Sequence, residues 1–214
     1  MALNDELLTL NQKIKYYTFE TFKDIPSEPG VYVWFYPLRI KDRNIDLFID
    51  EVNYVFNFNI NENGEYCPKA EVNLGWKNYS IETKYRQVAK SASFIKSWGK
   101  LFIDAAKTGD KKDLEELKKV IFISSVFMPP LYIGKATDLF TRCQQHIVGS
   151  SKENNTFNKR YNDYAKRKNL SCKDVEGLIF ACISTKTFGL TGEKYENLIE
   201  RILMNLIKPI YSIK

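Results

Sequence analysis

No stretch of 18 or more apolar residues occurs in this 214-residue chain, so no membrane-spanning helix is expected. Signal-peptide features are missing as well. Met1-Ala2-Leu3-Asn4-Asp5-Glu6 is acidic, where an export signal would open with basic residues and an apolar core. A soluble, cytoplasmic protein is therefore expected. Cysteine is scarce: Cys67, Cys143, Cys172 and Cys182 stand far apart without a CxxC pair, and His146 is the single histidine. That combination indicates neither a zinc site nor a disulfide framework, and the thiols are expected to be reduced and structural. Internal repeats and flexible linkers are absent too.

What is present fits a globular chain. Hydrophobic residues make up 44% of the sequence, enough to fill one sizeable domain or a core domain carrying a large insertion. The formal charge of +6 is unevenly spread. Residues 1–35 hold three basic and five acidic side chains, residues 36–131 fifteen and thirteen, and residues 132–214 fourteen and eight. Excess positive charge in the last segment points to a polyanionic partner.

Apolar residues at 3, 7, 8, 10 and 14 fit a short amphipathic helix over Leu3 to Tyr16, and residues 1–29 are expected to form an N-terminal helical extension. The turn-rich Ile25-Pro26-Ser27-Glu28-Pro29-Gly30 leads into Val31-Tyr32-Val33-Trp34-Phe35-Tyr36, whose β-branched and aromatic residues predict a buried strand. Between 38 and 128 the pattern changes. Ile45 to Ile60 is strand-like and closes in Asn61-Glu62-Asn63-Gly64, Lys84 to Ala106 has helical periodicity, and Asp113 to Lys119 adds a turn or two of helix. Val120 to Phe127 predicts another buried strand, as does Gly177 to Ser184. Gly192 to Lys208 predicts a helix stopped by Pro209, with Tyr195, Leu198, Ile199, Ile202, Leu203 and Leu206 on its apolar side.

The chemistry gathers around Tyr132-Ile133-Gly134-Lys135. Strand-prone residues end in a glycine turn, and Thr137 or Asp138 can cap a following helix by accepting from its first free N–H groups. On that helix Arg142 and His146, four residues apart, share one face away from the apolar line of Phe140, Cys143 and Ile147. Downstream, Lys159, Arg160, Lys166, Arg167 and Lys168 form a basic, tyrosine-bearing stretch. It reads either as a solvated helix face or as a surface that tracks phosphates. Glu193, Glu196 and Glu200 fall on one flank of the final helix. Taken singly, Tyr32 and Tyr132 read as core aromatics of two strands.

Taken together, Pro29-Gly30-Val31-Tyr32, Tyr132-Ile133-Gly134-Lys135, Arg142 eight residues beyond Gly134, and Glu200 nine residues before Pro209 resemble the GIY-YIG nuclease superfamily. The resemblance covers residues 25–36 and 130–212. Val31 replaces the motif's isoleucine, Ser212 stands where many members carry asparagine, and about a hundred residues separate the tyrosine motifs instead of about ten. Lengthening a loop costs only about 0.6 kcal/mol per doubling, so such an insertion leaves the flanking strands able to pair.

The resemblance implies an α/β (α+β) fold: a small, mainly antiparallel sheet flanked by helices, with a large α/β insertion in its first hairpin. Residues 30–37 and 129–214 would form the catalytic core, and residues 38–128 the insertion that reads DNA. It further implies a Mg²⁺-dependent endonuclease, with Mn²⁺ as a substitute, acting on double-stranded DNA, and most similar to the type II restriction branch. Repair, defence or mobile-element nucleases and a catalytically inactive DNA-binding protein are the alternatives. Tyr32 would be the general base, its phenol acidified by nearby cations, and Tyr132 would orient water or phosphate. Arg142 would grip the scissile phosphate, His146 would relay a proton or contact phosphate, and Lys135 would add charge. Glu200 would hold the metal, with Glu196 in reserve. A palindromic site would call for a homodimer on DNA or for sequential nicking.

Overall fold

The computed structural model describes residues 13–39, 47, 51, 69–74, 77–82, 111–149, 157–190, 192–207, 209 and 211, with 69–74, 77–82 and 111–114 described by their backbone alone. Among the described residues, six strands, β1 (Lys15–Tyr17), β2 (Gly30–Phe35), β3 (Lys69–Leu74), β4 (Lys77–Glu82), β5 (Tyr132–Ala136) and β6 (Ile179–Ser184), accompany four helices. These are α1 (Lys111–Ser124), α2 (Leu139–Val148), α3 (Phe157–Arg167) and α4 (Glu193–Ile207). The fold is α+β. Its main sheet has four antiparallel strands in the order β1-β6-β2-β5.

Strand β2 sits inside the sheet because Gly-Val-Tyr-Val-Trp-Phe offers bulky side chains to both faces. It pairs with β5 through Tyr32↔Gly134 and with β6 through Tyr32↔Cys182. Trp34 is the hub of the core. Its ring meets Phe180 at 4.9 Å, Phe22 at 5.9 Å and Phe157 at 6.1 Å, and burying each such side chain contributes roughly 1.5–3 kcal/mol. The Leu131 N–H donates to Trp34 O (2.8 Å) where β5 begins beside the end of β2, and beyond β2 the Leu38 N–H donates to the buried Ser125 hydroxyl (2.7 Å). At the opposite edge β1 is short and bears Lys15, features that discourage pairing with another chain.

The chain divides into two compact units, residues 1–39 with 117–214, and residues 40–116. The first holds the four-stranded sheet and takes in residues 117–128, which had been expected to belong to the insertion. Within the second, β3 and β4 pair antiparallel from Lys69↔Glu82 to Leu74↔Lys77, a hairpin that had not been anticipated. The expected strand at Ile45 to Ile60 falls largely outside the described residues. Leu47 and Glu51, which are described, have helical backbone. The expected helix at Lys84 to Ala106 lies outside them entirely.

Three expectations are corrected. Lys15–Tyr17 is a strand on the β6 edge rather than helix, since Lys-Tyr-Tyr suits a pleated surface and an open ladder lies beside it. Val120 to Phe127 is the end of α1 followed by a 3₁₀ turn (Ser125–Phe127). Short apolar runs do not distinguish strand from helix, and the Glu- and Lys-rich residues before it propagate helix. Helix α4 is rotated from expectation: Leu198, Ile202 and Leu206 are exposed while Glu196 is buried. Among the described residues no helix is long and apolar enough to cross a membrane.

Candidate active site

Strand β5 and helix α2 are joined by a short turn whose last residue, Asp138, caps the helix. Its Oδ1 accepts the Thr141 N–H at 2.6 Å. Buried Leu139, Cys143 and His146 then mark the inward line of α2, so His146 is on the apolar face, 7% exposed. This corrects the expected separation. An i, i+3, i+4 line from Leu139 and Cys143 carries His146 inward, and its partner there is a tyrosine.

That partner is Tyr32. Its hydroxyl lies 2.7 Å from His146 Nε2, and Arg142 Nε donates to the same oxygen at 3.2 Å. Two segments far apart in sequence, β2 and α2, thus meet on one atom. A guanidinium can only donate, so the Tyr32 oxygen accepts from Arg142 Nε, and the imidazole tautomer sets the direction of the Tyr32–His146 hydrogen bond. Burial, followed by the charge of Arg142, drives His146 down to about 3. The ring is neutral at physiological pH.

Tyr132 completes the cluster. Its ring stacks 6.0 Å from that of Tyr32, and its hydroxyl acts electrostatically on both Tyr32 and Arg142. Gly134 makes this stacking geometrically possible. It faces Tyr32 across the β2–β5 ladder, and a Cβ there would collide with the Tyr32 ring and stand 2.8 Å from Tyr132 Cε1. The acidification expected for Tyr32 is reversed. It is 0% exposed, and burial, reinforced by Tyr132, holds its phenol well above the usual tyrosine value despite the opposing pull of Arg142.

Carboxylates close the other side. Glu200 is half-buried and interacts with the charges of Lys135 and Arg142. Desolvation wins over those cations and raises its pKa above the ordinary carboxylate value. The Lys135 ammonium is engaged elsewhere, 2.5 Å from Glu193 Oε1, and this contact holds the Glu193 carboxyl below its ordinary value. Glu196, 2% exposed, accepts from the buried Thr185 hydroxyl. A cavity of about 260 Å³ opens beside these groups, lined by Lys135, Asp138, Thr141, Arg142, Gln145 and Glu196 among others.

Among the described residues no three His, Cys, Asp or Glu side chains are arranged as a metal cage. The donor chemistry nonetheless fits one hard cation. Glu200 is a hard oxygen donor near Lys135 and Arg142, two residues that line the polar cleft, and Mg²⁺ commonly binds through one or two carboxylates while keeping several waters.

The basic residues separate into two groups. Lys159, Lys166, Arg167 and Lys168 are exposed on α3 and just beyond it. Arg160 is turned inward: Nη2 donates to Tyr211 O at 2.7 Å, and its guanidinium lies 5.7 Å from the Tyr211 ring. It fastens the C-terminal segment, which corrects its expected place on the substrate surface. Two contributors had no sequence signal. Gln145 accepts from Arg142 Nη1 (3.0 Å), and Asn158 Nδ2 donates to the His146 and Ile147 carbonyls (2.7 and 2.8 Å), closing the end of α2.

No family model, curated protein or solved structure matches this chain.

Proposed function

We propose that this chain is a Mg²⁺-dependent DNA endonuclease of the GIY-YIG type, hydrolysing phosphodiester bonds in double-stranded DNA as a restriction-type enzyme. The observation that supports it best is the convergence of Arg142 and His146 on the Tyr32 hydroxyl, with Tyr132 and Glu200 adjoining Arg142. Core aromatics in a purely structural role do not need a shared guanidinium and imidazole beside a polar cleft.

Arg142 holds the scissile phosphate and stabilises its developing charge. Tyr132, only half-buried, is the phenol a water molecule can reach. It orients the attacking water and passes a proton inward to Tyr32, whose own proton has His146 Nε2 as acceptor. Glu200 would hold the Mg²⁺ (or Mn²⁺), which supplies electrophilic charge at a phosphate oxygen. Lys135 exchanges Glu193 for phosphate, and Lys159, Lys166, Arg167 and Lys168 track the DNA backbone. Residues 40–116 read the sequence, since a small nuclease core has little surface for the grooves. Each chain carries one such set of groups, so a homodimer or sequential nicking cuts both strands.

Incubating the purified protein with plasmid DNA and Mg²⁺ tests this. The wild type should nick or linearise the plasmid, Glu200→Ala should abolish cutting, and Tyr32→Phe should slow it by roughly 10²–10⁴-fold. Wild-type protein that cuts none of a panel of varied plasmids would overturn the assignment. Binding without cutting would mark a non-catalytic DNA-binding protein. Loss of cutting in Glu196→Ala but not in Glu200→Ala would move the metal ligand.

A further inference from the structure

Helix α2 and its cap turn a polar row to the cavity beside the tyrosines. Asp138, Thr141, Arg142 and Gln145 recur at helical spacing and line the same space of about 260 Å³. The three carboxylates on its wall are each engaged by a donor: Asp138 by the Thr141 N–H, Glu193 by the Lys135 ammonium and Glu196 by the Thr185 hydroxyl. Gln145 is in the opposite position, with donors and no acceptor for them.

Its orientation is set by the chemistry of its neighbour. A guanidinium offers only N–H groups, so the side-chain oxygen of Gln145 must face Arg142 Nη1, which donates to it at 3.0 Å. The amide nitrogen is then directed away from that contact, and among the described residues nothing accepts its two N–H groups. Arg142 itself is held at two nitrogens, by the Tyr32 hydroxyl at Nε (3.2 Å) and by Gln145 at Nη1. Two such contacts fix the plane of the guanidinium and leave N–H groups of the same cation beside the Gln145 amide. Gln145 is exposed, so its place on Arg142 owes nothing to core packing.

We propose that Gln145 is a positioning and phosphate-binding residue of this site. Its carbonyl oxygen sets the Arg142 guanidinium, and its amide N–H groups bind a non-bridging phosphate oxygen beside Arg142. A cationic fork next to a neutral amide presents donors alone, the arrangement that selects an oxyanion. That the anion is a phosphodiester rests on the nuclease reading, whereas the hold on Arg142 does not. The two roles separate by substitution. Gln145→Glu keeps an acceptor for Arg142 and replaces the donors by negative charge, and Gln145→Leu removes both.

NMR of the ¹⁵N-labelled full chain tests the proposal. The Arg142 Nε–H signal is identified by its absence from Arg142→Lys, and the Gln145 amide pair by its absence from Gln145→Leu. Exchange of the Arg142 Nε–H with water should quicken about tenfold in Gln145→Leu, the factor that one charge-assisted hydrogen bond supplies, and should be no faster than wild type in Gln145→Glu. Inorganic phosphate should shift the wild-type Gln145 amide pair saturably, and its Kd, followed at Arg142, should rise at least about tenfold in both variants. An Arg142 signal indifferent to Gln145→Leu, or a Gln145 amide unmoved by phosphate, would overturn the proposal. Wild-type protein that gives both NMR responses yet cuts no plasmid would support it and sink the nuclease reading alone.

Discussion

His146 is the residue whose burial has the most direct thermodynamic consequence. Its native pKa of about 3 lies below the unfolded value near 6.5. Between those limits the unfolded chain binds a proton that the native chain refuses, so stability from this group is complete above about pH 6.5 and falls as pH drops toward 3. By pH 4.5 the loss is about 2–3 kcal/mol. Urea denaturation at pH 7 and pH 4.5 should show this difference in the wild type and a distinctly smaller one in His146→Gln. Gly134→Ala should cost about 1–3 kcal/mol in the same assay, because its Cβ displaces the Tyr32 and Tyr132 rings. Residue types at motif spacing made Tyr32, Tyr132, Arg142 and Glu200 legible as a set. Their environments were not, since the direction of the Tyr32 shift depends on a burial that sequence spacing does not encode. Arg160 was misjudged for the same reason: a cation in a basic run looks solvated until its partner, the Tyr211 carbonyl, is in view.

At the scale of elements, local chemistry decided what could be read. The start of α2 was legible because an Asp cap is a contact between near neighbours, and Asp138→Ala should destabilise the protein by about 1 kcal/mol in thermal or urea unfolding. Asp138→Asn should largely keep that stability, since an amide oxygen can still accept the Thr141 N–H. Strands β2 and β6 were legible from their β-branched and aromatic runs. The end of α1 was not, because Val120-Ile121-Phe122-Ile123 suits either period and only the helix entering it settles the choice. The orientation of α4 escaped for a different reason. Periodicity identifies an apolar face but not what covers it, and here Thr185 and a polar cleft draw the carboxylate side of the helix inward.

For the whole molecule, the division into residues 1–39 with 117–214 and residues 40–116 sets a further expectation. Replacing residues 40–116 by a short flexible linker should leave the Tyr32–His146 pair intact, and with it the acid sensitivity described above. The check is the same two-pH denaturation, in which the shortened chain should show the wild-type difference rather than that of His146→Gln. If the proposed nuclease reading holds, the shortened chain should still nick DNA but lose its preference among sites. The sheet unit also has a consequence for how the protein is made. None of its pairings is local: Tyr16 meets Ala181, and Tyr32 meets Gly134 and Cys182. At typical synthesis speeds of 5–20 residues per second, about 5–20 s pass between β2 leaving the ribosome and the arrival of β5. Through that interval β2 has two unpaired edges and an uncovered Trp34, so the nascent chain is most exposed to misassociation before its second half exists.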